Sequence, residues 1–256
     1  MPSEVAAYGK VLPLVGIDHP QHPTKSEVLG TAFVATEGVL VTCWHVVRGA
    51  IQAGWTVIAA FDQRGDGHFT RVDVTDITRH PTDDDLASAR IDMPGAGWRL
   101  PEHDTPIDLG TNVVAMGYPL PDVRLDNDGG LTHLVSFRLL KGYLTHVPVI
   151  ERSGYPPAAS FELDMPAPAG LSGAPLLHGT ERNVLLGVVY GTNDVARIES
   201  LGSVDPDTGQ RTPEIQRIVS FALAHHTRTL RSLRGPATDN RPLGALMRDR
   251  GETVSL

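Results

Sequence analysis

Three residues whose side chains can together hydrolyse an acyl bond are spread along the chain: His45, Asp85 and Ser172. Ser172 has Gly170 two residues before it and Gly173 directly after it. A serine with glycine neighbours can occupy a tight turn, in which no side chain keeps a substrate carbonyl away from the hydroxyl or from backbone N–H groups. This placement suits a nucleophile, although the stretch by itself is equally typical of a plain surface turn.

His45 is the candidate base for Ser172, because a serine hydroxyl is a poor nucleophile until a neighbouring group removes its proton. It lies near the end of an apolar run, residues 30–47, that predicts two strands joined by a turn at Glu37 and Gly38. We therefore expect His45 just past the end of a strand, where side chains emerge into clefts.

Asp85 is the candidate acid that orients the histidine and stabilises its imidazolium form, a role usually filled by a buried carboxylate. It is the last of three adjacent aspartates and directly precedes the short apolar stretch 86–91. We expect Asp85 to lie against that stretch, and Asp83 and Asp84 to lie in a solvated loop.

Four motifs accompany these residues: T-x-x-H-V at 42–46, D-[IL]-A at 85–87, V-x-x-x-G-x-P at 113–119 and G-x-S-G-x-P at 170–175. Each motif alone is weakly specific. In this order and spacing, over roughly residues 28–191, the chain resembles the trypsin-like (chymotrypsin-fold) serine proteases of the bacterial cytosolic type.

The resemblance implies an all-β fold: two six-stranded antiparallel β-barrels (chymotrypsin-like) with a C-terminal α-helix. It also implies a serine endopeptidase in which Ser172 attacks a peptide carbonyl and forms an acyl-enzyme. His45 would transfer the proton, Asp85 would orient His45, and the backbone N–H groups of Gly170 and Ser172 would form the oxyanion hole.

The resemblance further places the substrate pocket at 164–169 and 189–193, lined by Pro166, Ala167, Val189, Tyr190 and Gly191. Pro166 stands where trypsin carries the acid that selects Arg or Lys, so we expect a modest apolar preference. Asp164 and Asp194 leave a basic preference open. Leu171 stands where trypsin carries the aspartate that pairs with a newly cut N-terminus, so we expect no activation by such cleavage.

The sequence divides into an N-terminal surface segment (1–27), a first β-barrel (28–105), a second β-barrel (106–211), a C-terminal helix (212–234) and an extended tail or linker (235–256). Apolar or alternating runs predict strands at 56–61, 69–77, 88–91, 112–117, 131–139, 142–148, 160–164, 175–177 and 184–190. Prolines and glycines in 93–106 predict the connection between the barrels. Thr212, Pro213 and Glu214 predict the start of a helix, which apolar residues at helical spacing continue from Ile215 to Leu223.

The composition is that of an ordinary globular protein, with 41% hydrophobic residues among 256. The 22 basic residues are outnumbered by 30 acidic ones, which gives a net charge of −8 and argues against a nucleic-acid surface. No stretch has the length of a signal peptide or a membrane span. Cys43 is the single cysteine, so we expect no disulfide, a buried small side chain at this position, and a cytoplasmic location. We expect neither a cofactor nor a metal, because His19 and His22 have no further ligands nearby in sequence.

Two other functions fit parts of the sequence. An α/β-hydrolase would use residues 170–174 as a nucleophile elbow, with Asp194 and His225 downstream, but the proline-rich residues before the serine make a poor strand. A catalytically silent peptide-binding module of the trypsin-like fold is the main alternative to a protease. In either trypsin-like case the partner is a protein or peptide, and the resemblance leaves room for a regulatory partner or fused domain.

Overall fold

The computed structural model describes residues 10–21, 23–62, 69–82, 85–95, 97–103, 106–120, 122–125, 131–152, 155–181, 183–200 and 215–256. Six strands build a first domain: β1 (Val11–Ile17), β2 (Ser26–Thr36), β3 (Val39–Cys43), β4 (Thr56–Asp62), β5 (Phe69–Arg79) and β6 (Leu86–Ile91). They form a closed antiparallel barrel in the order β1-β2-β3-β6-β5-β4. Helix α1 (Trp44–Gln52) follows β3 directly. The predicted first barrel is therefore confirmed, whereas residues 44–47, predicted as strand, are helical.

The N-terminal segment requires a correction, because β1 is a strand of the barrel and not a surface segment. Val11, Leu12 and Leu14 are buried in the core of the first barrel. Pro13 lies opposite Thr31 in the pairing of β1 with β2. The prolines of this region suggested a loop, but the apolar residues around Pro13 fill the barrel.

The connection between the barrels contains β7 (Leu100–Pro101), and nine strands are described between it and the C-terminal helices. They are β8 (Asn112–Gly117), β9 (Asp122–Leu125), β10 (Leu131–Leu134), β11 (Arg138–His146), β12 (Val149–Arg152), β13 (Tyr155–Leu163), β14 (Pro175–His178), β15 (Leu185–Ser200) and β16 (Ile215–His225). The order β11-β8-β14-β15-β16-β13 closes through a β11–β13 pairing into a second six-stranded barrel, with β12 added beside β13. All pairings within both barrels are antiparallel, which excludes the parallel sheet of an α/β-hydrolase.

The predicted C-terminal helix at 212–234 is wrong over most of its length. Residues 212–214, the predicted helix start, lie outside the described residues, and Ile215–His225 forms β16. Leu223 belongs to the buried cluster that extends from the core of the first barrel to the C-terminal helices, while Ala222 and Ala224 pack in the core of the second barrel. Because apolar residues on both faces of β16 are buried, its sequence lacks the alternation of a half-exposed strand.

The C-terminal helices follow β16: α2 (Thr227–Ser232) and α3 (Leu243–Asp249), with a 3-10 turn (Pro236–Thr238) between them. Leu243, Leu246 and Met247 of α3 are buried. The chain then forms β17 (Thr253–Val254), which pairs in parallel with β7 (Leu100–Pro101) in the connection between the barrels. The predicted extended tail is thus a packed segment, and its apolar residues at i, i+3 and i+4 were the sequence signal for α3.

None of the helices in the described part of the chain has the length and hydrophobicity needed to span a bilayer.

Candidate active site

His45 and Asp85 meet because the strands that carry them are neighbours. Cys43, the last residue of β3, pairs with Leu86, the first residue of β6. Asp85 directly precedes Leu86, and His45 lies in the first turn of α1 directly after β3. His45 and Asp85 are therefore within two residues of the Cys43–Leu86 pair, and this brings their side chains together.

The Asp85 carboxylate binds His45 with both of its oxygens. Oδ2 lies 2.6 Å from His45 Nδ1, and Oδ1 accepts a 2.9 Å hydrogen bond from the His45 backbone N–H. A carboxylate at the first turn of a helix also satisfies a donor there that has no partner within the helix. The Asp85 side chain is 1% exposed and that of His45 is 31% exposed. The imidazole is therefore open to solvent on one side and held by a buried acid on the other.

Ser172 lies in the turn between β13 and β14 that the sequence indicated. Gly170 and Gly173 both have φ of +89°, the left-handed region that glycine adopts without strain. A Cβ atom at position 173 would lie 1.9 Å from the backbone oxygen of Thr31, so only glycine fits this approach. Leu171 is fully buried in the core of the second barrel and fixes the turn to that core.

Thr31, in strand β2 of the first barrel, holds the serine turn in place. Its backbone N–H donates to the Ser172 carbonyl at 2.9 Å, and its hydroxyl donates to the Gly170 carbonyl at 2.7 Å. The same hydroxyl accepts a 3.0 Å bond from Tyr118 N, and Thr42 Oγ1 donates to the Thr31 carbonyl at 2.7 Å. No local sequence pattern marks Thr31, because its contacts are with residues distant in sequence.

Gly30 lies close both to the serine turn and to helix α1, which carries His45. A Cβ atom at Gly30 would lie 3.1 Å both from the Ser172 carbonyl oxygen and from the side chain of Val46, the neighbour of His45. The Ser172 hydroxyl donates a 3.3 Å hydrogen bond to the carbonyl of Tyr190. Rotation about the Ser172 Cα–Cβ bond would move Oγ from this position to another staggered position.

The backbone N–H groups predicted for an oxyanion hole, those of Gly170 and Ser172, have no acceptor among the described residues. The neighbouring N–H groups are satisfied, since Leu171 N donates to Pro168 O at 3.0 Å and Gly173 N donates to Val189 O at 2.8 Å. The turn thus leaves unpaired the two donors that an anionic oxygen could use.

The predicted pocket residues have different surroundings. Pro166 is exposed, and Ala167 and Gly191 are half-buried. The side chain of Val189 is fully buried in the core of the second barrel, and its carbonyl accepts the hydrogen bond of Gly173 N in the serine turn. Tyr190 is also buried, and its hydroxyl is 2.9 Å from Ser160 Oγ.

A depression of about 360 Å³ lies beside His45 on the first barrel. Its apolar walls come from β2, α1 and the residues after α1, with Glu27 as the one acidic residue among those that line it. The lining residues are Glu27, Leu29, His45, Val46, Gly49, Ala50, Ala53 and Trp55. The depression has room for an apolar side chain of a bound chain next to the imidazole.

One group of side chains in the described part of the chain has the composition of a metal site. The Sγ of Cys43, a carboxylate oxygen of Asp85 and a ring nitrogen of His225 lie within 4.8 Å of one another, and all three residues are buried. Both oxygens of Asp85 already accept hydrogen bonds from His45, and Cys43 Sγ lies 3.3 Å from the Val189 carbonyl. Cys43 is thus the buried small residue that the sequence predicted. His22 and the acids Asp83 and Asp84 lie outside the described residues.

Comparison with known families is decisive at this point. The family model of the trypsin-like peptidase domain matches residues 30–188, more than half of the chain, and includes His45, Asp85 and Ser172. The chain belongs to the trypsin-like peptidase family. No curated protein matches it.

Several solved structures share the fold of this trypsin-like chain. The HtrA-type protease AlgW with a decapeptide has a TM-score of 0.51 and 20% identity, and covers 88% of the chain. The Rv3671c protease from M. tuberculosis in its active form has a TM-score of 0.53 and 18% identity. The match covers 100% of the present chain and 86% of the Rv3671c chain. Deg5 has a TM-score of 0.52 and 19% identity, and the match covers 72% of the present chain and 80% of the Deg5 chain. The chain spans 64% of the length of AlgW.

Proposed function

We propose that this trypsin-like protein is a serine endopeptidase that hydrolyses peptide bonds through an acyl-enzyme, with His45, Asp85 and Ser172 as its catalytic residues. The observation that carries the proposal is the buried Asp85 carboxylate, which binds both the backbone and the ring of His45 beside the serine turn. A buried acid that fixes an exposed imidazole is the arrangement that general-base catalysis requires.

The hydrogen bond from His45 Nδ1 to Asp85 fixes the proton on Nδ1 and leaves Nε2 as the acceptor. In the first step the Ser172 hydroxyl turns from the Tyr190 carbonyl to Nε2 and gives up its proton there. Oγ then bonds to the substrate carbonyl carbon, and the C–N bond breaks as Nε2 returns the proton to the leaving amine. A water molecule attacks the acyl-enzyme by the same route and releases the acid product and the free Ser172 hydroxyl.

The negative charge that forms on the carbonyl oxygen requires donors fixed in advance. The unpaired N–H groups of Gly170 and Ser172 suit this role, and the bond from Thr31 Oγ1 to the Gly170 carbonyl holds the turn that presents them. Loss of one such donor typically costs about 10²–10³ in kcat.

The proposed substrate is a protein or peptide. The depression beside His45 supports this proposal, because it could hold one side chain of the substrate next to the imidazole. The solved structure of AlgW holds a decapeptide, which is consistent with this substrate class. An apolar preference in the primary pocket, the cytoplasmic location and a regulatory partner or fused domain remain predictions from the sequence.

A Ser172→Ala variant tests the proposal. We expect it to lose hydrolysis of a casein or fluorogenic peptide substrate by about 10⁴-fold or more, because the covalent route has no nucleophile. Its Tm should be close to that of the wild type, since a single part-buried hydrogen bond of 3.3 Å is removed. A Ser232→Ala variant, which loses a hydroxyl bonded to Thr229 O at 2.9 Å, serves as the control and should keep full activity. Unchanged turnover by Ser172→Ala would overturn the assignment.

A catalytically silent peptide-binding module is the second candidate, and the hydrogen bond of the Ser172 hydroxyl to Tyr190 is the observation that favours it. A fluorophosphonate probe separates the two candidates. Stoichiometric labelling that Ser172→Ala abolishes supports the peptidase, whereas a folded wild-type protein that takes no label supports the binding module.

A further inference from the structure

His225 is a buried polar residue at the end of β16, with 4% of its surface exposed. Its backbone pairs on one side with Val188 of β15 and on the other with Ser160 of β13. The approach of β15 is unusually close, because a Cβ atom at Gly187 would lie 2.1 Å from the His225 carbonyl oxygen. The backbone of His225 is therefore fixed within the wall of the second barrel.

The ring of His225 faces the first barrel. One of its nitrogens lies within 4.8 Å of a carboxylate oxygen of Asp85 and of Cys43 Sγ. Asp85 and Cys43 belong to the first barrel, whereas His225 belongs to the second. The imidazole is thus the polar group through which the second barrel approaches the acid that holds His45.

The same ring also contacts Tyr190. The centroids of the two rings lie 4.5 Å apart with an angle of 40° between their planes. The Tyr190 carbonyl accepts the hydrogen bond of the Ser172 hydroxyl, and the Tyr190 hydroxyl is bonded to Ser160. His225 therefore packs between the carboxylate that orients the base and the residue that holds the nucleophile.

A buried carboxylate needs nearby polar groups to stabilise its charge, because water does not reach it. Polar interactions with a charge are also stronger in the protein interior than in water. Asp85 is 1% exposed, and both of its carboxylate oxygens bind His45. The His225 imidazole, with a ring nitrogen within 4.8 Å of a carboxylate oxygen, adds a polar, polarisable neighbour from the second barrel. An apolar residue of similar size would remove that support and would also change the packing of Tyr190.

We propose that His225 is a positioning residue that holds Asp85 and Tyr190, and through them His45 and Ser172, in a reactive arrangement. The inference rests on the serine peptidase function proposed above. His225 does not touch substrate in this role, so its removal should slow the chemical step and leave substrate binding nearly unchanged.

The experiment compares wild type, His225→Leu, His225→Gln and a His226→Asn control. The neighbouring His226 stacks on Phe161 at 4.6 Å and accepts a hydrogen bond from Arg228 N at the start of α2, which asparagine can replace. The fluorophosphonate label counts the competent sites, so that kcat is expressed per labelled serine and partial misfolding does not affect it.

We expect His225→Leu to lower kcat per labelled serine roughly ten- to a hundred-fold, as small displacements of reacting groups do, with KM changed less than about twofold. His225→Gln, which keeps a polar group near Asp85, should recover most of the loss. His226→Asn should match the wild type. Equal kcat per labelled serine in His225→Leu and wild type would overturn the inference.

A His225→Gln variant as slow as His225→Leu would also overturn the inference, because a polar group near Asp85 would then make no difference to the reaction. If His225→Leu does not fold, His225→Gln and His225→Asn decide: a reduced kcat with unchanged KM, larger for the shorter side chain, supports the role, and wild-type kinetics in both contradict it. The proposed function fails separately, and the inference with it, if the wild-type protein neither hydrolyses peptides nor takes the label.

Discussion

Thr31 shows how much of the site depends on a residue that does no chemistry. Its hydroxyl donates to the carbonyl of Gly170, 139 positions away in the chain, and accepts from Tyr118 N. Its backbone N–H binds the Ser172 carbonyl. These three bonds link β2, the end of β8 and the serine turn, and they fix the turn against the first barrel.

A Thr31→Val variant keeps the shape of the side chain and removes both hydroxyl bonds. We expect kcat/KM to fall by about 10-fold or more, since the N–H groups beside Gly170 lose a fixed orientation. The unfolding free energy should fall by about 1–3 kcal/mol, because a donor and an acceptor are left without partners. Peptidase assays and urea unfolding measure the two effects.

Thr238 provides a matched control for Thr31. It is fully buried, its hydroxyl donates to the Arg241 carbonyl at 2.7 Å, and the same hydroxyl accepts from Gly235 N at 3.1 Å. Thr238→Val should lose a similar stability and keep kcat/KM. Equal losses of kcat/KM in the two variants would show that Thr31 acts only through stability.

The residues with recognisable chemistry could be predicted from the sequence, and those that hold them could not. His45 and Asp85 stand beside strand ends that apolar runs reveal, and they do form the predicted pair. The Ser172 turn was visible from its glycines. Thr31 and His225 act through contacts between the two barrels, and no local pattern distinguishes them from other residues of a strand.

At the scale of elements, β16 shows the limit of periodicity. Ile215, Ile218, Val219, Ala222 and Leu223 have helical spacing, yet the segment is a strand. One face of β16 supplies Leu223 to the buried cluster that extends from the core of the first barrel to the C-terminal helices, and the other supplies Ala222 and Ala224 to the core of the second barrel. Burial on both faces removes the alternation that distinguishes a strand, so the pattern favoured the wrong element.

The loop between β1 and β2 is organised by Asp18. Its Oδ1 accepts hydrogen bonds from the backbone N–H groups of His19, Thr24 and Lys25, and its Oδ2 accepts from the Thr24 hydroxyl. The Thr24 hydroxyl, followed by the Lys25 amide, lowers the pKa of the Asp18 carboxyl well below its ordinary value. The loop therefore prefers the ionised acid, although the group is at the surface.

An Asp18→Asn variant should have a lower Tm than the wild type at pH 7, and the difference should shrink in acid. A carboxyl whose pKa is lower in the folded state contributes stability above its unfolded pKa of about 4. That contribution is lost as the pH falls below this value toward the folded pKa. Thermal melts from pH 7 to pH 3 measure it, with Asp92→Asn, an exposed acid after β6, as the control. A Tm difference that stays constant down to pH 3 would contradict the role of the charge.

For the whole molecule, the C-terminal segment connects parts that lie far apart in sequence. β17 pairs with β7 between the barrels, and Arg250 Nη1 donates to Thr36 Oγ1 and to the Glu37 carbonyl, both at 2.8 Å. Met247 of α3 is fully buried, in a core cluster that also contains the apolar residues of the first barrel. In sequence this segment resembles a tail, because Gly235, Pro236 and the polar residues after them are typical of the end of a fold.

A Met247→Ala variant should lower the unfolding free energy by about 2–5 kcal/mol, the usual cost of a buried methionine truncated to alanine. The neighbouring Arg248 is exposed, and Arg248→Ala should change stability by no more than about 0.5 kcal/mol. Urea unfolding compares the two. Similar small effects in both variants would show that α3 does not belong to the cooperative unit.

The anchoring of the serine turn has a consequence for motion between the two halves of the protein. The carbonyls of Gly170 and Ser172 are bonded to Thr31, a residue of the barrel that also supplies His45 and Asp85. Leu171 of the same turn packs in the core of the second barrel, so the turn is fixed to both halves. A shift of one barrel against the other would have to break the bonds to Thr31 or displace Leu171, and the position of Ser172 relative to His45 therefore resists such motion.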